Sequence, residues 1–304
     1  MSVTAVLLLL VAAFTHAGWN FFSKKEHPTL AFYLVANIIG MLCVLPLIYF
    51  HWNKIFLIPV FVWVCLVCSG FFLAVYMAFL AGAYRTGDLS IAYPLARALP
   101  TIFITLVTTL LMGKIQVISP GFVIGIILVT AGCLILPIQH FSHFAFSQYK
   151  NLSCLLAIMA AFCITGYTII DSEALGYFHK LPDGGFNPLN ATLIYMALEA
   201  VACSFWKGLF VLCSARERKS FIEVLKGKKV SAAKTGIGIY LTYGLVLLSM
   251  NFVTNVSYVA AFRQLSIPIG AIMGMVFLEE SRCLPKITGI AIIFAGLILL
   301  SVGW

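Results

Sequence analysis

Four ionisable side chains stand within otherwise apolar stretches of the sequence. Arg97, Arg263 and Glu199 lie several residues inside long apolar segments, and Asp171 closes another such segment. A charge at the centre of a membrane helix costs at least about 2.5 kcal/mol, so ionisable groups there typically bind a solute, carry an ion or pair with one another. These four residues are therefore the first candidates for a functional site.

The two arginines and the two acids suit different chemistry. Guanidinium groups at Arg97 and Arg263 can receive the oxygens of a carboxylate or phosphate, in a bidentate manner where geometry allows. The equally open alternative is that an internal acid neutralises each arginine and the pair only joins helices. A carboxyl group in a low-dielectric cavity, such as Glu199 or Asp171, can carry a proton. A static ion pair is the alternative for both, and Lys207 follows Glu199 by two helical turns.

Several neutral side chains are placed to complete a binding site. Trp19 and Tyr167 occupy matching positions in an internal repeat described below, and Tyr93 lies one helical turn before the first arginine. His16 and Asn20 are four residues apart and share a helix face. We include Trp19, Asn20, Tyr93 and Tyr167 among the candidate substrate-binding residues, and His16 as a candidate proton carrier or ion-pair partner. The alternatives are aromatic packing and hydrogen bonds between helices.

The elements that carry these residues are predicted to span a membrane. The 304 residues are 62% hydrophobic and 10% charged, with a mean hydropathy of +1.06, whereas a soluble domain carries about 25% charged residues. Stretches long enough to cross a hydrocarbon core of about 30 Å lie near residues 2–22, 29–50, 60–83, 90–112, 119–138, 152–171, 189–213, 232–250, 255–278 and 284–303. Their apolar runs are continuous, which favours helices over a barrel. The chain is thus predicted to be an all-α integral membrane protein of about ten transmembrane helices, with a turn near 251–255.

Basic residues are unevenly divided between the predicted connections. One set of alternate connections holds thirteen Lys and Arg residues and the other set holds three. Because basic loops stay in the cytoplasm, this bias predicts both termini outside it. The same loop distribution explains the net charge of +9 without nucleic acid as a partner. We expect a multi-pass protein of the cytoplasmic membrane whose partners are the lipid bilayer and a small-molecule substrate, as a monomer or weak homodimer.

Motifs for metal or cofactor chemistry are lacking in the sequence. The nine cysteines fall within or beside apolar segments, where free cysteine behaves as a small hydrophobe. The Cys65 and Cys68 pair has no second ligand pair, and His140 with His143 is a weak metal signal. The sequence contains no HExxH, GxSxG or phosphate-loop motif. We predict no cofactor, no metal site and no catalytic residues.

The chain contains an internal repeat. Residues 12–19 (AAFTHAGW) recur as 160–167 (AAFCITGY), 97–100 (RALP) as 263–266 (RQLS), and 125–132 as 289–296, at offsets of 148, 166 and 164. The three blocks match in order, which indicates two halves at 1–138 and 152–304. Five spans in each half force the halves into opposite orientations, an inverted-repeat plan whose substrate site lies near the membrane midplane.

The motifs at 16–20 (HAGWN) with Lys24, 83–90 (AYRTGDLS) and 93–97 (YPLAR) resemble the EamA-domain branch of the drug/metabolite transporter superfamily. Tyr167 with Asp171 and the segment 278–280 (LEE) fit its second repeat, so the resemblance covers essentially the whole chain. It implies ten helices in two inverted repeats around a central cavity, and transport of polar metabolites. The chain departs from the family's Gly-Glu pair, with Gly-Lys at 113–114 and Glu-Glu at 279–280.

These features together predict a secondary transporter that works by alternating access. Two internal guanidinium groups with acids available nearby suit a small polar metabolite of amino-acid size that is anionic or zwitterionic. Two other classes remain open. An intramembrane enzyme would need a catalytic pair at one depth, and a non-transporting membrane subunit would leave the two arginines without a use.

Overall fold

The computed structural model describes residues 3–110, 120–136, 138, 140–141, 150–178, 188–250, 252 and 263–302. Every regular element in these ranges is helical, as the sequence predicts. The helices are α1 (Val3–Lys25), α2 (Leu30–Phe50), α3 (Trp52–Ile55), α4 (Val60–Thr86), α5 (Leu89–Leu110), α6 (Pro120–Ile135), α7 (Leu152–Phe178), α8 (Pro188–Cys213), α9 (Ala215–Glu223), α10 (Lys229–Met250), α11 (Ser266–Phe277) and α12 (Leu284–Val302). A π-helical turn, Val224–Lys228, joins α9 to α10.

Five of the described helices are long and apolar enough to cross a membrane: α1, α2, α4, α7 and α8. Shorter apolar helices lie in α5, α6, α11 and α12. Large apolar side chains such as Phe14, Phe205 and Leu212 remain more than half exposed on the outer surface. A helix satisfies its own backbone hydrogen bonds, so these segments can meet lipid directly. The chain is a multi-pass helical protein of membrane type.

The segment predicted as one span over 255–278 is described from Arg263 onward. Gln264 and Leu265 form a turn, and α11 begins at Ser266. Pro268 explains this position, because proline fits the first turn of a helix but would clash with the carbonyl of residue 264 in a continuous one. The predicted turn near 251–255 and the pair at 113–114 fall largely or wholly outside the described residues. Phe252, which is described, donates its N–H to Ser249 at 3.0 Å.

The basic connection after α8 is helical rather than an open loop. Ser214 caps α9 by accepting the N–H of Glu217 at 3.3 Å, in the Ser-x-x-Glu spacing of a capping box. The Glu217 carboxylate also accepts the N–H of Ala31 in the first turn of α2, at 2.9 Å. A negative charge at a helix N-terminus is favourable, so α9 is fixed against the end of the bundle.

The most extensive helix packing joins the first half of the chain to the second. α4 lies against α7 and α8, α10 against α1 and α2, α5 against α7 and α11, α2 against α8, α1 against α11, and α6 against α12. Helices of the same half touch less. In the described part of the chain, the segments 1–138 and 152–304 therefore interleave in one bundle.

Small residues permit the closest of these crossings. A Cβ on Gly236 would lie 2.0 Å from the carbonyl oxygen of Ala36, and one on Gly70 would lie 2.7 Å from the Cβ of Ala202. The α6–α12 contact likewise runs over glycines of both helices, with Gly132 against Gly289 and Gly125 against Gly296. Close approach of backbones is a common way for membrane helices to associate.

One end of the bundle is held by polar contacts between α1, α4, α5 and α12. The Lys286 ammonium is buried and lies 2.8 Å from the Asp88 carboxylate. Lys24 donates to the carbonyls of Tyr84 and Gly87 at the end of α4, at 2.5 Å each. These contacts fix the start of α5, the helix that carries Arg97.

Candidate functional site

Arg97 lies in the third turn of α5, between two prolines of the same helix. Pro94 and Pro100 remove backbone donors from α5 and so weaken its hydrogen-bond ladder around the arginine. The Arg97 side chain is partly accessible although its neighbours Ala96 and Ala98 are buried. Tyr93, one turn earlier, is 1% exposed. Arg97 thus keeps part of its side chain accessible between buried neighbours.

Arg263 lies just before the turn that precedes α11. Its carbonyl accepts the hydroxyl of Ser266 at 2.9 Å, which holds the turn between them. Its side chain is partly accessible and acts electrostatically on the same histidine, His16, as Arg97 does. The structure therefore brings the two sequence-predicted arginines into one region, bounded by α1, α5 and α11.

The rings of His16 and Trp19 on α1 and of Tyr93 on α5 lie beside the arginines and are called the aromatic wall here. The His16 ring lies 5.1 Å from Trp19 in an edge-to-face arrangement and 6.0 Å from Tyr93, measured between ring centroids. Two glycines leave room for these rings: a Cβ on Gly238 would lie 2.8 Å from Trp19, and one on Gly270 would lie 2.6 Å from Tyr93. The packing of α10 and α11 against the wall fixes the orientation of both rings.

Hydrogen-bonding atoms in this region lack partners. Trp19 Nε1, the Tyr93 hydroxyl, Arg97 Nε and the Gln264 carboxamide oxygen are buried and make no hydrogen bond in the described structure. The Tyr93 hydroxyl approaches Ser266 and Arg97 without a well-formed bond to either. Buried polar atoms are normally hydrogen bonded, so these four atoms, of which the Gln264 oxygen is an acceptor and the others can donate, are candidates for contact with a ligand.

Asn20 is engaged within the protein. Its amide nitrogen donates to the carbonyl of His16 at 2.8 Å, and its amide oxygen accepts the hydroxyl of Tyr84 at 2.6 Å. Asn20 is 1% exposed. Among the candidate residues it therefore has the geometry of a link between α1 and α4 rather than of a ligand contact.

The two predicted acids meet each other. Ser69 of α4 donates its hydroxyl to Glu199 at 2.7 Å, and Tyr195 of α8 donates its hydroxyl to Asp171 at 2.7 Å. The Asp171 and Glu199 carboxyl groups also lie within hydrogen-bonding reach of one another. Both acids are partly accessible. Among the described residues, no Lys or Arg forms an ion pair with either acid.

Sequence reasoning missed Ser69, Tyr195 and Tyr243. Hydroxyl side chains are common in membrane helices. Ser69 gains its acceptor only where α4 meets α8, and Tyr195 only where α8 meets α7. A signal existed for Tyr195, which precedes Glu199 by one helical turn and thus shares its face.

Two tyrosines connect the basic and acidic groups. Tyr167 interacts electrostatically with both arginines and both acids, and Tyr243 with Arg263 and both acids. Tyr167 precedes Asp171 by about one helical turn, some 6 Å along α7. The Tyr167 ring also contacts the buried ring of Tyr76, 6.2 Å between centroids. The candidate site therefore has a basic pole, Arg97 and Arg263, and an acidic pole, Asp171 and Glu199, which share Tyr167 and Tyr243 as electrostatic neighbours.

No group of three or more His, Cys, Asp or Glu side chains positioned to hold a metal occurs within the described ranges. The arrangement instead suits a small solute that offers oxygen acceptors to the basic pole.

No family model matches the sequence, and no curated protein matches it either. A solved structure described as a crystal structure of a protein superposes on the chain with a TM-score of 0.55. The two share 15% sequence identity, and the match covers 99% of each chain. At this identity the similarity extends to the fold alone.

Proposed function

We propose that the chain is a secondary transporter that moves a small anionic or zwitterionic metabolite of amino-acid size across the cytoplasmic membrane. The observation that carries this proposal is the cluster of unpartnered donors at Trp19, Tyr93 and Arg97, beside Arg263. A carboxylate or phosphonate oxygen placed among them accepts charge-assisted hydrogen bonds that the protein itself leaves unmade.

The acidic pole extends the match to zwitterions. Asp171 and Glu199 lie close enough to Tyr167 to act on it together with Arg97. A solute with a carboxylate and an ammonium group can then place each charge near an opposite one. Desolvation of such a solute is tolerable only under that condition. A purely cationic solute leaves the arginines without a counter-charge.

Packing of the helices supports two inverted five-helix repeats. If α1, α2, α4, α5 and α6 correspond to α7, α8, α10, α11 and α12, exchange of the halves converts each principal contact into another one. The α4–α7 contact becomes α10–α1, α4–α8 becomes α10–α2, and α5–α7 becomes α11–α1, while α2–α8, α5–α11 and α6–α12 map onto themselves. A twofold axis in the membrane plane produces this pattern, and carriers built on it bind substrate between the halves.

Individual residues follow the same exchange. The close contact of Gly236 with Ala36 and that of Gly70 with Ala202 are related by an offset of 166 residues, which also relates Arg97 to Arg263. The two arginines would then approach the site from symmetry-related helices. A turn at Gln264 and Leu265 lies between the second arginine and α11, and irregular backbone is a frequent feature of transporter binding sites.

We extend the proposal to the EamA-domain branch of the drug/metabolite transporters, on the motifs at 16–20, 83–90 and 93–97. The chain has Glu279 and Glu280 where the family has a Gly-Glu pair, and the conformation of these two residues is compatible with that pair. Glu279 adopts a φ of 55°, the left-handed region that favours the glycine of the family motif. Glu280 supplies the carboxylate, which accepts the N–H groups of Leu89 and Ser90 at 2.6 and 2.9 Å.

A thermal-shift experiment on purified protein in detergent tests the proposal. L-alanine, L-glutamate, lactate and methylphosphonate are compared with choline, a cation. Binding to the native state raises stability by about 2.7 kcal/mol at a hundredfold excess over Kd. We expect a dose-dependent rise in melting temperature with at least one anionic or zwitterionic solute and none with choline. The Arg97→Gln variant should lose that rise, whereas the exposed control Arg216→Gln should keep it. Stabilisation by choline alone would mean that the arginines are structural.

A further inference from the structure

The acidic pole is a built pair of carboxyl groups on neighbouring helices. Ser69, which is fully buried, donates to Glu199, and Tyr195, which is 2% exposed, donates to Asp171. Each acid thus already has one hydroxyl donor from the protein. The remaining contact is the one between the two carboxyl groups themselves.

Two carboxylates in hydrogen-bonding contact do not both stay ionised. A carboxylate only accepts hydrogen bonds, so a bond between the two groups needs a proton on one of them. Like charges a few ångströms apart make the second ionisation costly, as in other carboxyl dyads. Where the two carboxyl groups share a hydrogen bond, the Asp171–Glu199 pair therefore holds at least one proton.

In the part of the chain that the structure describes, no Lys or Arg forms an ion pair with either acid of the pair. The titratable groups around the pair are Cys65 of α4, Tyr167 of α7, Tyr195 and Cys203 of α8, and Tyr240 and Tyr243 of α10. Arg97 and Arg263 act on Tyr167, and Glu173 of α7 acts on Cys65. From α2 the facing polar group is Asn37, a neutral amide bound to Ser204 at 2.7 Å. Lys207 interacts with Cys203, and Cys203 lies one helical turn beyond Glu199. Proton uptake is thus the available means of changing the charge of the pair.

We propose that the Asp171–Glu199 pair is the proton-coupling site of this protein, so that a proton and the anionic group of the substrate are carried together. This inference rests on the transport function proposed above. Negative charge on the pair opposes an anionic group at Arg97, and a proton added to the pair removes that opposition. At about 10 Å and an effective dielectric constant near 20, one unit of charge alters the affinity roughly tenfold. By linkage, the bound substrate favours the proton by the same factor.

Proteoliposomes separate coupling from transport itself. The probe is whichever radiolabelled solute among L-alanine, L-glutamate, lactate and methylphosphonate the wild-type protein exchanges fastest. Counterflow of this probe needs no proton gradient, whereas accumulation against its own gradient does. We expect an inward-directed proton gradient to drive accumulation by the wild-type protein. In Asp171→Asn and Glu199→Gln, the counterflow that remains should no longer be raised by the gradient, so that the probe equilibrates and does not accumulate.

Glu173→Gln is the matched control, because it removes a carboxyl group from the same helix, α7, outside the pair. It should accumulate the probe as the wild-type protein does. Gradient-driven accumulation at the wild-type level in both pair variants would overturn the proposal, as would accumulation driven by the opposite gradient. Absence of counterflow in the wild-type protein would instead contradict the transport function.

An infrared measurement tests the shared proton without any substrate. Purified wild-type protein at neutral pH should give a protonated-carboxyl band that Asp171→Asn and Glu199→Gln each remove and Glu173→Gln leaves in place. If either pair variant fails to fold, Tyr195→Phe keeps both acids and should shift the pH at which the band disappears. A band unchanged in every folded variant of the pair would mean that the proton is not held there.

Discussion

At the scale of single residues, several buried polar atoms make no hydrogen bond in the described structure, and each of them costs free energy of folding. A buried donor with no acceptor costs about 1–3 kcal/mol. Trp19, Tyr93 and Arg97 each hold one such group within the same region. A protein tolerates this expense at a binding site, where a ligand supplies the missing acceptors. Removal of one of these donors should therefore weaken the binding of the solute and leave the stability of the free protein unchanged.

Two buried tyrosines allow that difference to be measured. The Tyr93 hydroxyl has no partner, while the Tyr84 hydroxyl is bound to Asn20 at 2.6 Å. Tyr93→Phe should weaken solute binding roughly tenfold, the value of about 1.4 kcal/mol, with an unchanged melting temperature of the free protein. Tyr84→Phe should lower the melting temperature and leave affinity within about threefold. Isothermal titration and thermal unfolding in detergent report the two quantities. Equal affinity losses in both variants would contradict a ligand contact at Tyr93.

The arginines are expected to matter for transport and not for assembly. Arg97→Gln and Arg263→Gln each remove a charge that forms no ion pair among the described residues. Both variants should insert and elute from size exclusion like the wild-type protein, while solute uptake falls at least tenfold, the value of one charge-assisted hydrogen bond. Arg216→Gln serves as the control. Loss of folding in either site variant would favour a structural role, and full uptake in both would exclude a role in binding.

The candidate arginines and acids could be predicted because charge is rare in apolar segments. Their partners could not. The alternative reading joined each arginine to an internal acid, whereas Asp171 and Glu199 face one another and receive hydroxyls from Ser69 and Tyr195. Ser69 and Glu199 are 130 residues apart in sequence, so their contact depends on how α4 meets α8.

At the scale of helices, the junction after α11 couples the second half of the chain to α5. Glu280 places its carboxylate against the N–H groups of Leu89 and Ser90, where the helix dipole favours negative charge. Gly274 makes room for it, because a Cβ there would lie 2.7 Å from Glu280 Oε2. The turn that delivers Glu280 passes through Glu279 at a φ of 55°.

Replacement of Glu279 by glycine should stabilise the protein. The left-handed conformation costs a residue with a Cβ roughly 1–2 kcal/mol, and the exposed Glu279 side chain contributes little in return. Glycine loses more chain entropy on folding, which offsets part of this gain. We expect a net gain of about 0.5–1 kcal/mol, seen as a higher melting temperature. Glu279→Ala, which keeps the Cβ, should give no gain. A lower melting temperature for the glycine variant would contradict the strained turn.

Hydropathy predicts which segments form helices but not the residues at which a helix begins or ends. The apolar run over 255–278 is read as one span, and Pro268 is the residue that could have predicted the turn at Gln264 and Leu265. The basic segment after α8 reads as a loop because charge dominates its composition. Its Ser214 to Glu217 spacing is the helix signal that charge conceals.

At the scale of the whole molecule, the connections that hold the thirteen Lys and Arg residues form the basic end of the bundle. These residues set the predicted orientation, and several of them also bind neighbouring helices. Several of the thirteen residues that set the predicted orientation also hold helices together: Lys286 with Asp88 at 2.8 Å, Lys24 on the end of α4, and Lys228 on the carbonyl of Glu26 at 2.5 Å. The loop bias is readable from sequence, whereas these contacts follow from the interleaving of the two halves. If Lys24, Lys228 and Lys286 are left out of the count, the same set of connections still holds more Lys and Arg residues than the other set.

We therefore predict that the basic end faces the cytoplasm and both termini lie outside it. Single cysteines at Ser2 and Ser220 in a cysteine-free background test this orientation. A membrane-impermeant thiol reagent applied to intact cells should label the cysteine at position 2 and miss the one at position 220. Permeabilised cells provide the control in which both are labelled. The reverse labelling in intact cells would place the basic end outside.

Solute counterflow in proteoliposomes tests the central proposal most directly. Vesicles loaded with unlabelled L-alanine, L-glutamate, lactate or methylphosphonate are diluted into the same labelled solute, and the captured solute is identified by mass spectrometry. Wild-type protein should produce a transient accumulation of at least one of these solutes, chemically unchanged. Arg97→Gln should reduce it at least tenfold, and Arg216→Gln should not. Capture of choline alone, or recovery of a chemically altered solute, would contradict a carrier for anionic or zwitterionic metabolites.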